Sequence, residues 1–373
     1  MQQVRSVVVF PSAVDIMPAL ESFKVLRVLH LEGCDLSQGF SLKYIGSLFH
    51  LRYLGLRSTR TAQLPEELTN LLFLQTLDVS CNIISTFPST VVQLRNLMCL
   101  HIDDDTRVPN GIIGSLTSLE ELSTLCIDNS TGIVEELGHL TELRVLEIVC
   151  HIEWNDALEK SLVACLCKMQ KIQSLSIWVS AGEFNLDGWA PPRHLRRLQL
   201  MGCCFSTLTD WMSPSLLVVL SSLYIGVSKL RQEDLEILGR LPSLCYLNLE
   251  VDHQNLGILG RFFVGACSFP CLVECVLQGF GGPVVFQQGA MPRLAILRFT
   301  FPVREAREFT SSNGGFDLGL GNLSCLQNVT VYLQSEGASK EEVEEAKAAL
   351  RRRAEIHLNR PTLEIVDNRF GED

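Results

Sequence analysis

The sequence is poor in several features that mark particular classes of protein. Aromatic residues make up only 7% of its 373 residues, and acidic residues outnumber basic ones, which gives a formal charge of −11. A chain without a basic excess lacks the charge pattern that binds phosphates, so we expect neither nucleic acid nor membrane as a partner. No apolar run approaches the ~18 residues of a membrane span. The run at residues 7–10 is too short for a signal peptide, since Pro11 breaks it.

The motifs of common enzymes are also missing. The sequence has no Gly-x-Ser-x-Gly, no His-Glu-x-x-His and no Gly-x-x-x-x-Gly-Lys-Ser/Thr phosphate loop. The glycine pairs Gly314-Gly315 and Gly319-x-Gly321 lack the lysine that such a loop needs. We therefore expect no catalytic residues, no cofactor and no enzymatic activity.

The fourteen cysteines do not form a metal-binding pattern. His151-x-Glu153 with Cys271-x-x-x-Cys275 is similar to a zinc deaminase signature, but the cysteine spacing is one residue too long. Other close cysteines, such as Cys165-x-Cys167, have no partner pair at zinc spacing. Scattered cysteines used as small apolar residues are typical of a reducing compartment, so we expect no metal and a cytoplasmic location.

A repeated phrase dominates the sequence instead. It has the form Leu-x-x-Leu-x-Leu followed by a small polar residue or Cys, and it returns about every 23 residues, the period of a leucine-rich repeat. The phrases start at Val4, Leu26, Leu51, Leu74, Leu97, Leu122, Leu143, Ile172, Leu195, Leu220, Leu244, Leu272, Leu294 and Leu326.

This periodicity predicts an α/β leucine-rich-repeat solenoid, or horseshoe, of about fourteen repeats. Each phrase predicts a short strand, and the strands stack into one parallel concave sheet. The slot held by Cys34, Thr59 or Asn82 should turn the chain and bond backbone groups of neighbouring turns. Pro65 and Pro88 predict the first turn of short helices or 3₁₀ turns on the convex side.

Three segments are longer than the repeat requires, and we expect loops there. They cover residues 182–192, 279–289 and 301–321, and the predicted tip of the last is Ser311 to Gly315. Long loops on a rigid scaffold often carry binding function.

The C-terminal segment predicts a cap. Ser339-x-x-Glu342 is a capping box, and apolar residues at Val343, Ala346, Leu350 and Ala354 follow at helical spacing. A final strand follows at residues 362–366. We therefore divide the chain into a leucine-rich-repeat domain, residues 1–336, and a capping helix and strand, residues 337–373. Strand residues begin at Val4, a pattern expected of a piece of a larger chain.

Both ends of the chain resemble one family. The start reads Phe23-Lys-Val-Leu-Arg-Val-Leu-His-Leu-Glu-Gly-Cys34, and later Leu64-Pro-Glu-Glu-Leu68. The end reads Ala354-Glu-Ile-His-Leu-Asn-Arg-Pro-Thr-Leu-Glu-Ile365. These segments resemble the repeat region of plant intracellular nucleotide-binding leucine-rich-repeat disease resistance proteins, of the cereal, coiled-coil type.

The resemblance implies non-catalytic recognition in plant defence. Its partners would be a pathogen effector, a host protein that an effector modifies, or a nucleotide-binding module that the repeats restrain. Two alternatives stay open. A ubiquitin-ligase specificity subunit needs an F-box, and a receptor ectodomain would use the glycosylation sequons at Asn129, Asn322 and Asn328.

Specificity is predicted to lie on outward strand positions, because the inward leucines build only the scaffold. Trp, Tyr and Arg are the side chains that most often anchor protein interfaces. The candidate protein-binding residues of the concave face are Arg52, Arg57, Trp178, Arg196, Arg197, Tyr224, Tyr246 and Glu250. Asp78, Asp103 and Glu147 occupy further outward positions.

Overall fold

The computed structural model describes residues 3–37, 42–128, 132–180, 182–251, 261–304 and 318–367. The sequon at Asn129 and the predicted loop tip at Ser311 to Gly315 lie outside these ranges. The chain forms two compact units, and each is described by itself. Unit 1 comprises Met1–Ala181 and Gly188–Pro192, and unit 2 comprises Gly182–Asp187 and Arg193–Asp373.

Unit 1 contains a parallel ladder of eight strands in chain order. The register places the second leucine of each phrase in one line, for example Leu29 beside Leu54 and Leu54 beside Leu77. These leucines are fully buried. The strands are β1 Ser6–Val8, β2 Val28–His30, β3 Tyr53–Gly55, β4 Thr76–Asp78, β5 Cys99–His101, β6 Glu121–Ile127, β7 Val145–Cys150 and β8 Ser174–Val179.

Unit 2 continues the same pattern with longer strands. Its main ladder runs β10, β11, β12, β14, β16, β17 and β18, all parallel. Cys275 stands in the leucine line, between Leu247 and Leu297, and is fully buried as expected. The strands are β9 Glu183–Phe184, β10 Arg197–Phe205, β11 Ser222–Val227, β12 Tyr246–Val251, β13 Phe262–Val264, β14 Glu274–Gln278, β15 Val284–Phe286, β16 Ile296–Pro302, β17 Asn328–Gln334 and β18 Thr362–Asp367.

All fourteen predicted strands are present, and the predicted final strand is β18. Most of the returns between them contain a 3₁₀ helix or an α-helix, as predicted, whereas the return between β10 and β11 consists of turns. The 3₁₀ helices are Pro11–Ile16, Leu20–Ser22, Leu42–Ser47, Glu66–Asn70, Ser89–Gln93, Ile113–Ser115 and Leu320–Asn322. The α-helices are α1 Ile133–Leu137, α2 Asp156–Leu166, α3 Gln232–Gly239 and α4 Lys340–Ile356.

Pro65 and Pro88 differ from their prediction by one residue. Each precedes its 3₁₀ helix as an extended N-cap residue, with φ −70° and ψ 144° at Pro65. The fixed φ of proline fits an extended residue as well as a helical one, so the sequence alone did not separate the two positions.

Two segments predicted as loops contain strands. Residues 182–192 hold β9, and their Trp189 is only 3% exposed. Residues 279–289 hold β15, which pairs with β13 in a separate two-stranded parallel sheet. Alternating apolar residues drive this pairing, since Phe262, Val264, Val284 and Phe286 are all buried.

The polar slot works as predicted. The Asn82 Oδ1 accepts from the backbone N–H groups of Thr59 at 3.0 Å and Thr61 at 2.9 Å. Its Nδ2 donates to the carbonyls of Leu56 at 2.7 Å and Val79 at 2.8 Å. A single side chain therefore satisfies backbone groups of two successive turns.

The predicted C-terminal helix is α4. Ser339 Oγ accepts from the Glu342 N–H at 3.2 Å, and Glu342 Oε2 accepts from the Ser339 N–H at 2.8 Å, which completes the capping box. Val343, Ala346 and Leu350 are buried. The boundary at residue 336 between a repeat domain and a cap stays a prediction.

No helix in the described ranges has both the length and the apolar character needed to cross a membrane.

Candidate functional site

The outward side of the parallel ladder is where the structure places the predicted binding residues. The alternation of each strand turns leucines inward and leaves the intervening side chains on the opposite face. We call that opposite face the outward face, and we describe it separately for each unit.

In unit 1, the two predicted arginines flank β3. Arg52 precedes the strand and Arg57 follows it, and both are exposed. Arg57 Nε lies 3.7 Å from Glu32 Oε1, and both side chains are about half exposed. An exposed pair of this kind contributes little to folding stability, so Arg57 stays available to a partner.

Trp178 lies on β8 with 38% of its surface exposed. Its ring and that of His151 form an edge-to-face contact, with the ring centroids 5.8 Å apart. His151 Nε2 in turn lies 3.8 Å from Asp104 Oδ2. The structure therefore places this tryptophan beside an imidazole and a carboxylate rather than in an apolar patch.

Two outward acids of unit 1 have structural partners. Asp103 accepts from the backbone N–H groups of Cys81 at 2.7 Å and Asn82 at 2.9 Å. Asp78 accepts from Ser80 and lies 3.7 Å from His101 Nδ1. Burial works against ionisation of Asp78, but hydrogen bonds from His101 and Ser80 outweigh it and lower its pKa to about 2.

In unit 2, Tyr224, Tyr246 and Glu250 come together on adjacent strands. Tyr224 of β11 pairs with Asn248 of β12, which lies between Tyr246 and Glu250 along the strand. Burial raises the pKa of the Tyr224 phenol, and the neighbouring charge of Glu250 raises it further. Both tyrosines are half-buried and Glu250 is exposed.

Arg196 and Arg197 stand at the start of β10 and are exposed. Arg197 pairs with Ser222, and Ser222 pairs with Tyr246, so one strand separates the arginine from the tyrosine. At the spacing of about 4.8 Å between neighbouring strands, Arg197 lies roughly 10 Å along the ladder from Tyr246.

Sequence reasoning missed Asn248. This outward residue is only 7% exposed, and its Oδ1 is buried without a hydrogen-bond partner among the described residues. An Asn between two leucines looks like an ordinary solvated position, so the sequence held no signal for its burial. The structure places this unpaired acceptor inside the group of Tyr224, Tyr246 and Glu250.

On the side of β14 and β16, the charged side chains near Tyr224, Tyr246 and Glu250 are paired with each other. Arg298 of β16 forms an ion pair with Glu274 of β14. Val276, the ladder neighbour of Asn248 on β14, is 5% exposed. Glu250 has no ion pair within the described part of the chain, so it leaves a net negative charge beside Asn248.

The clefts of unit 2 lie elsewhere. One of about 500 Å³ is lined by α3 and the segment after β13, including Gln232, Arg240 and Phe263. Gln232 holds Phe263 through both of its backbone groups. The Gln232 Nε2 donates to the Phe263 carbonyl at 2.9 Å, and the Gln232 Oε1 accepts from the Phe263 N–H at 3.0 Å. Another of about 550 Å³ lies between α4 and β18, and includes Arg351 and Arg360.

The thirteen described cysteines are all free thiols. Burial and, to a smaller extent, the nearby carboxylates of Asp128 and Asp104 together raise the pKa of Cys126 to about 11. A thiol with a raised pKa holds little thiolate at neutral pH and is a poor nucleophile. Within the described ranges, no three His, Cys, Asp or Glu side chains lie together as metal ligands.

Comparison with known proteins agrees with this architecture. A family model described as "Leucine-rich repeat region" matches residues 3–363. A leucine-rich-repeat protein of Leptospira interrogans has a similar solved structure, with a TM-score of 0.56, 18% identity and coverage of 97% of this chain and 96% of that one. That likeness concerns the fold alone.

Relatives by sequence include rice proteins of Oryza sativa subsp. japonica. The chain is 29% identical to disease resistance protein RGA5 over 89% of its own length and 30% of that protein. It is 27% identical to disease resistance protein RGA4 over 97% of its own length and 36% of that protein. The resemblance predicted from the two ends is confirmed, and the chain spans about a third of the length of these relatives.

Proposed function

Because this chain belongs to the leucine-rich-repeat family across residues 3–363, we propose that it is a non-catalytic protein-recognition region that acts in plant defence. The observation that carries the proposal is the outward face of unit 2, where Tyr224 and Tyr246 present aromatic surface on adjacent strands. Aromatic side chains with few rotatable bonds lose little entropy on binding and make strong interface anchors.

The partner is a protein: a pathogen effector, a host protein that an effector modifies, or a nucleotide-binding module. The similarity to RGA5 and RGA4 supports the defence role. As part of this proposal, the repeats restrain a nucleotide-binding switch, and a ligand releases it. A ligand does this only if it binds one of the two states more tightly than the other.

The proposed place of action is the cytoplasm. Thirteen described thiols stay unpaired, and four of them, Cys34, Cys150, Cys165 and Cys275, are buried as small core residues. An oxidising compartment would select against so many free cysteines, whereas a reducing one tolerates them.

The test compares three chains in plant cells, each fused to a proximity-labelling enzyme. The face variant carries Arg196→Glu, Arg197→Glu and Tyr246→Ala. The control carries Arg351→Glu, Arg352→Glu and Leu358→Ala, which make the same changes at exposed positions on and after α4. We expect the face variant alone to lose labelled proteins that the wild type marks, and to bind the purified proteins at least about tenfold more weakly.

Identical labelled sets from the wild type and the face variant would show that this face recognises nothing. Loss of the same proteins in the control variant would indicate a general effect of charge reversal and would equally contradict the proposal.

A further inference from the structure

The unpaired acceptor on Asn248 is the feature of unit 2 that the fold itself does not explain. The residue is 7% exposed, and its Oδ1 has no hydrogen-bond partner in the part of the chain that the structure describes. Asn82, by contrast, satisfies both ends of its amide. Native proteins pair nearly all buried polar atoms, because an unpaired one destabilises the folded state. An orphaned acceptor that persists on the outward face therefore points to a missing donor.

The groups around Asn248 show what kind of donor is missing. Glu250 lies two residues along the same strand, about 6.6 Å away at 3.3 Å per residue, on the same face. The aromatic rings of Tyr224 and Tyr246 occupy neighbouring outward positions. Carboxylate, amide oxygen and aromatic rings all attract a cation that carries N–H donors.

One outward cation near Asn248 is already neutralised. Arg298 lies two strands from Asn248, beyond Val276, and pairs with Glu274. On β12, Asn248 Oδ1 has no donor among the described residues, and the Glu250 carboxylate, which contacts the Tyr224 phenol, forms no ion pair with a described basic residue. In the described ranges the main contacts of β12 are with its ladder neighbours β11 and β14, whose outward side chains lie on either side of Asn248. Such side chains rotate within nanoseconds, so a partner can reach the amide.

We propose that Asn248, Glu250 and the two tyrosines form a receptor for a basic side chain, arginine or lysine, presented by the protein partner. The inference rests on the proposed recognition function and specifies the chemistry of its ligand. The cation donates to Asn248 Oδ1, pairs with Glu250, and packs against the rings of Tyr224 and Tyr246.

The experiment selects a displayed library of random peptides against the wild-type chain. Enriched peptides are then remade with each Arg replaced by citrulline and each Lys by norleucine. We expect enriched peptides to carry Arg or Lys, and the uncharged versions to bind at least about tenfold more weakly. Asn248→Leu and Glu250→Gln should each cause a similar loss.

Asn328→Leu is the matched control. Asn328 stands on the outward face of β17 and is exposed, so the same substitution there should leave peptide binding unchanged. Peptides that bind Asn248→Leu as tightly as the wild type would overturn the receptor while leaving a recognition function in place. A library that yields no binding peptide at all would contradict the recognition function as well.

Thermal unfolding gives an independent readout. Removal of an unpaired buried acceptor should raise the Tm of Asn248→Leu by about 1–3 °C while binding falls. A residue that only supports the sheet would show the opposite, and a lower Tm would mean that Asn248 is already satisfied in the free protein. That result would overturn the proposal.

Discussion

At the scale of single residues, the side chains that close one turn determine how the next turn stacks. Asn82 illustrates this, because its amide makes three donor and two acceptor contacts with backbone groups from Leu56 to Ser80. These groups cannot pair within a strand, since they lie where the chain leaves the sheet. The polar preference of this slot is therefore a requirement of backbone hydrogen bonding, not of surface solubility.

Substitution of Asn82 tests this role. Asn82→Ala leaves at least four backbone contacts unmade, and we expect it to lower the free energy of unfolding by about 2–4 kcal/mol, measured by urea denaturation. Asn96→Ala is the matched control, because the exposed Asn96 makes one backbone hydrogen bond, to Leu72. Its cost should stay below about 1 kcal/mol. Equal losses in the two variants would refute the special role of the slot.

His101 links two carboxylates on the outward face of unit 1. Its Nε2 lies 3.2 Å from Glu121 Oε1, and its Nδ1 lies 3.7 Å from Asp78 Oδ2. The hydrogen bond to Asp78 raises the pKa of His101 against the opposing effect of burial, and Glu121 adds to the rise. A folded-state pKa above the unfolded value means that the charged imidazole stabilises the fold below about pH 6.5. That contribution disappears as pH rises through the folded pKa.

The sign of this linkage gives a prediction for His101→Gln. The variant should lose more stability relative to wild type at about pH 5.5 than at about pH 8.5, because only the lower pH holds the imidazolium in the folded chain. Urea midpoints at the two pH values measure the difference. His139→Gln, which removes an exposed histidine, should show no such dependence. A constant or reversed gap for His101→Gln would contradict the assignment.

At the scale of elements, β18 is the last ladder strand in the described ranges, and α4 packs beside it. β18 pairs with β17 along six residues, and α4 buries Val343, Ala346 and Leu350. Lys347 reaches from α4 to Asp367 at the end of β18, at 3.2 Å. The helix and the strand are thus tied to each other as well as to the repeats.

The capping box sets where α4 begins. Ser339→Ala removes the acceptor of the Glu342 N–H, and we expect it to cost about 1 kcal/mol, seen as faster hydrogen exchange at residues 342–344. Ser339→Thr keeps a hydroxyl and should retain protection. Unchanged exchange in Ser339→Ala would show that packing alone holds the first turn.

At the scale of the whole molecule, the repeat pattern was sufficient to predict every strand of the main ladder. The pattern predicts strands because each phrase buries its apolar residues at the same positions. For this reason even Cys275 could be assigned to an inward position. It failed where the chain departs from the period. β13 and β15 each have three residues, which is too short for alternation to distinguish a strand from an apolar loop.

The outward face was less predictable, because exposure and partners depend on neighbours that come from other repeats. The sequence correctly placed Tyr224, Tyr246 and Glu250 on outward positions. It placed Asp103 on an outward position but did not anticipate that the carboxylate accepts hydrogen bonds from backbone groups of the previous turn. It also overlooked Asn248, whose burial arises only when β11, β12 and β14 are side by side.

The side-chain hydrogen bonds between successive turns share a direction that matters while the chain is being made. The side chain of Asn82 accepts from the backbone N–H of Thr59. In the same way Asp103 accepts from the N–H of Asn82, and Thr300 from the N–H of Gly279. In each case the later repeat supplies the side chain and the earlier repeat supplies the backbone. During translation from the N-terminus, a repeat that leaves the ribosome therefore carries unfinished hydrogen bonds until the next one emerges. Ordered structure in the nascent chain should trail synthesis by one repeat, and a pause between repeats would expose an incomplete turn.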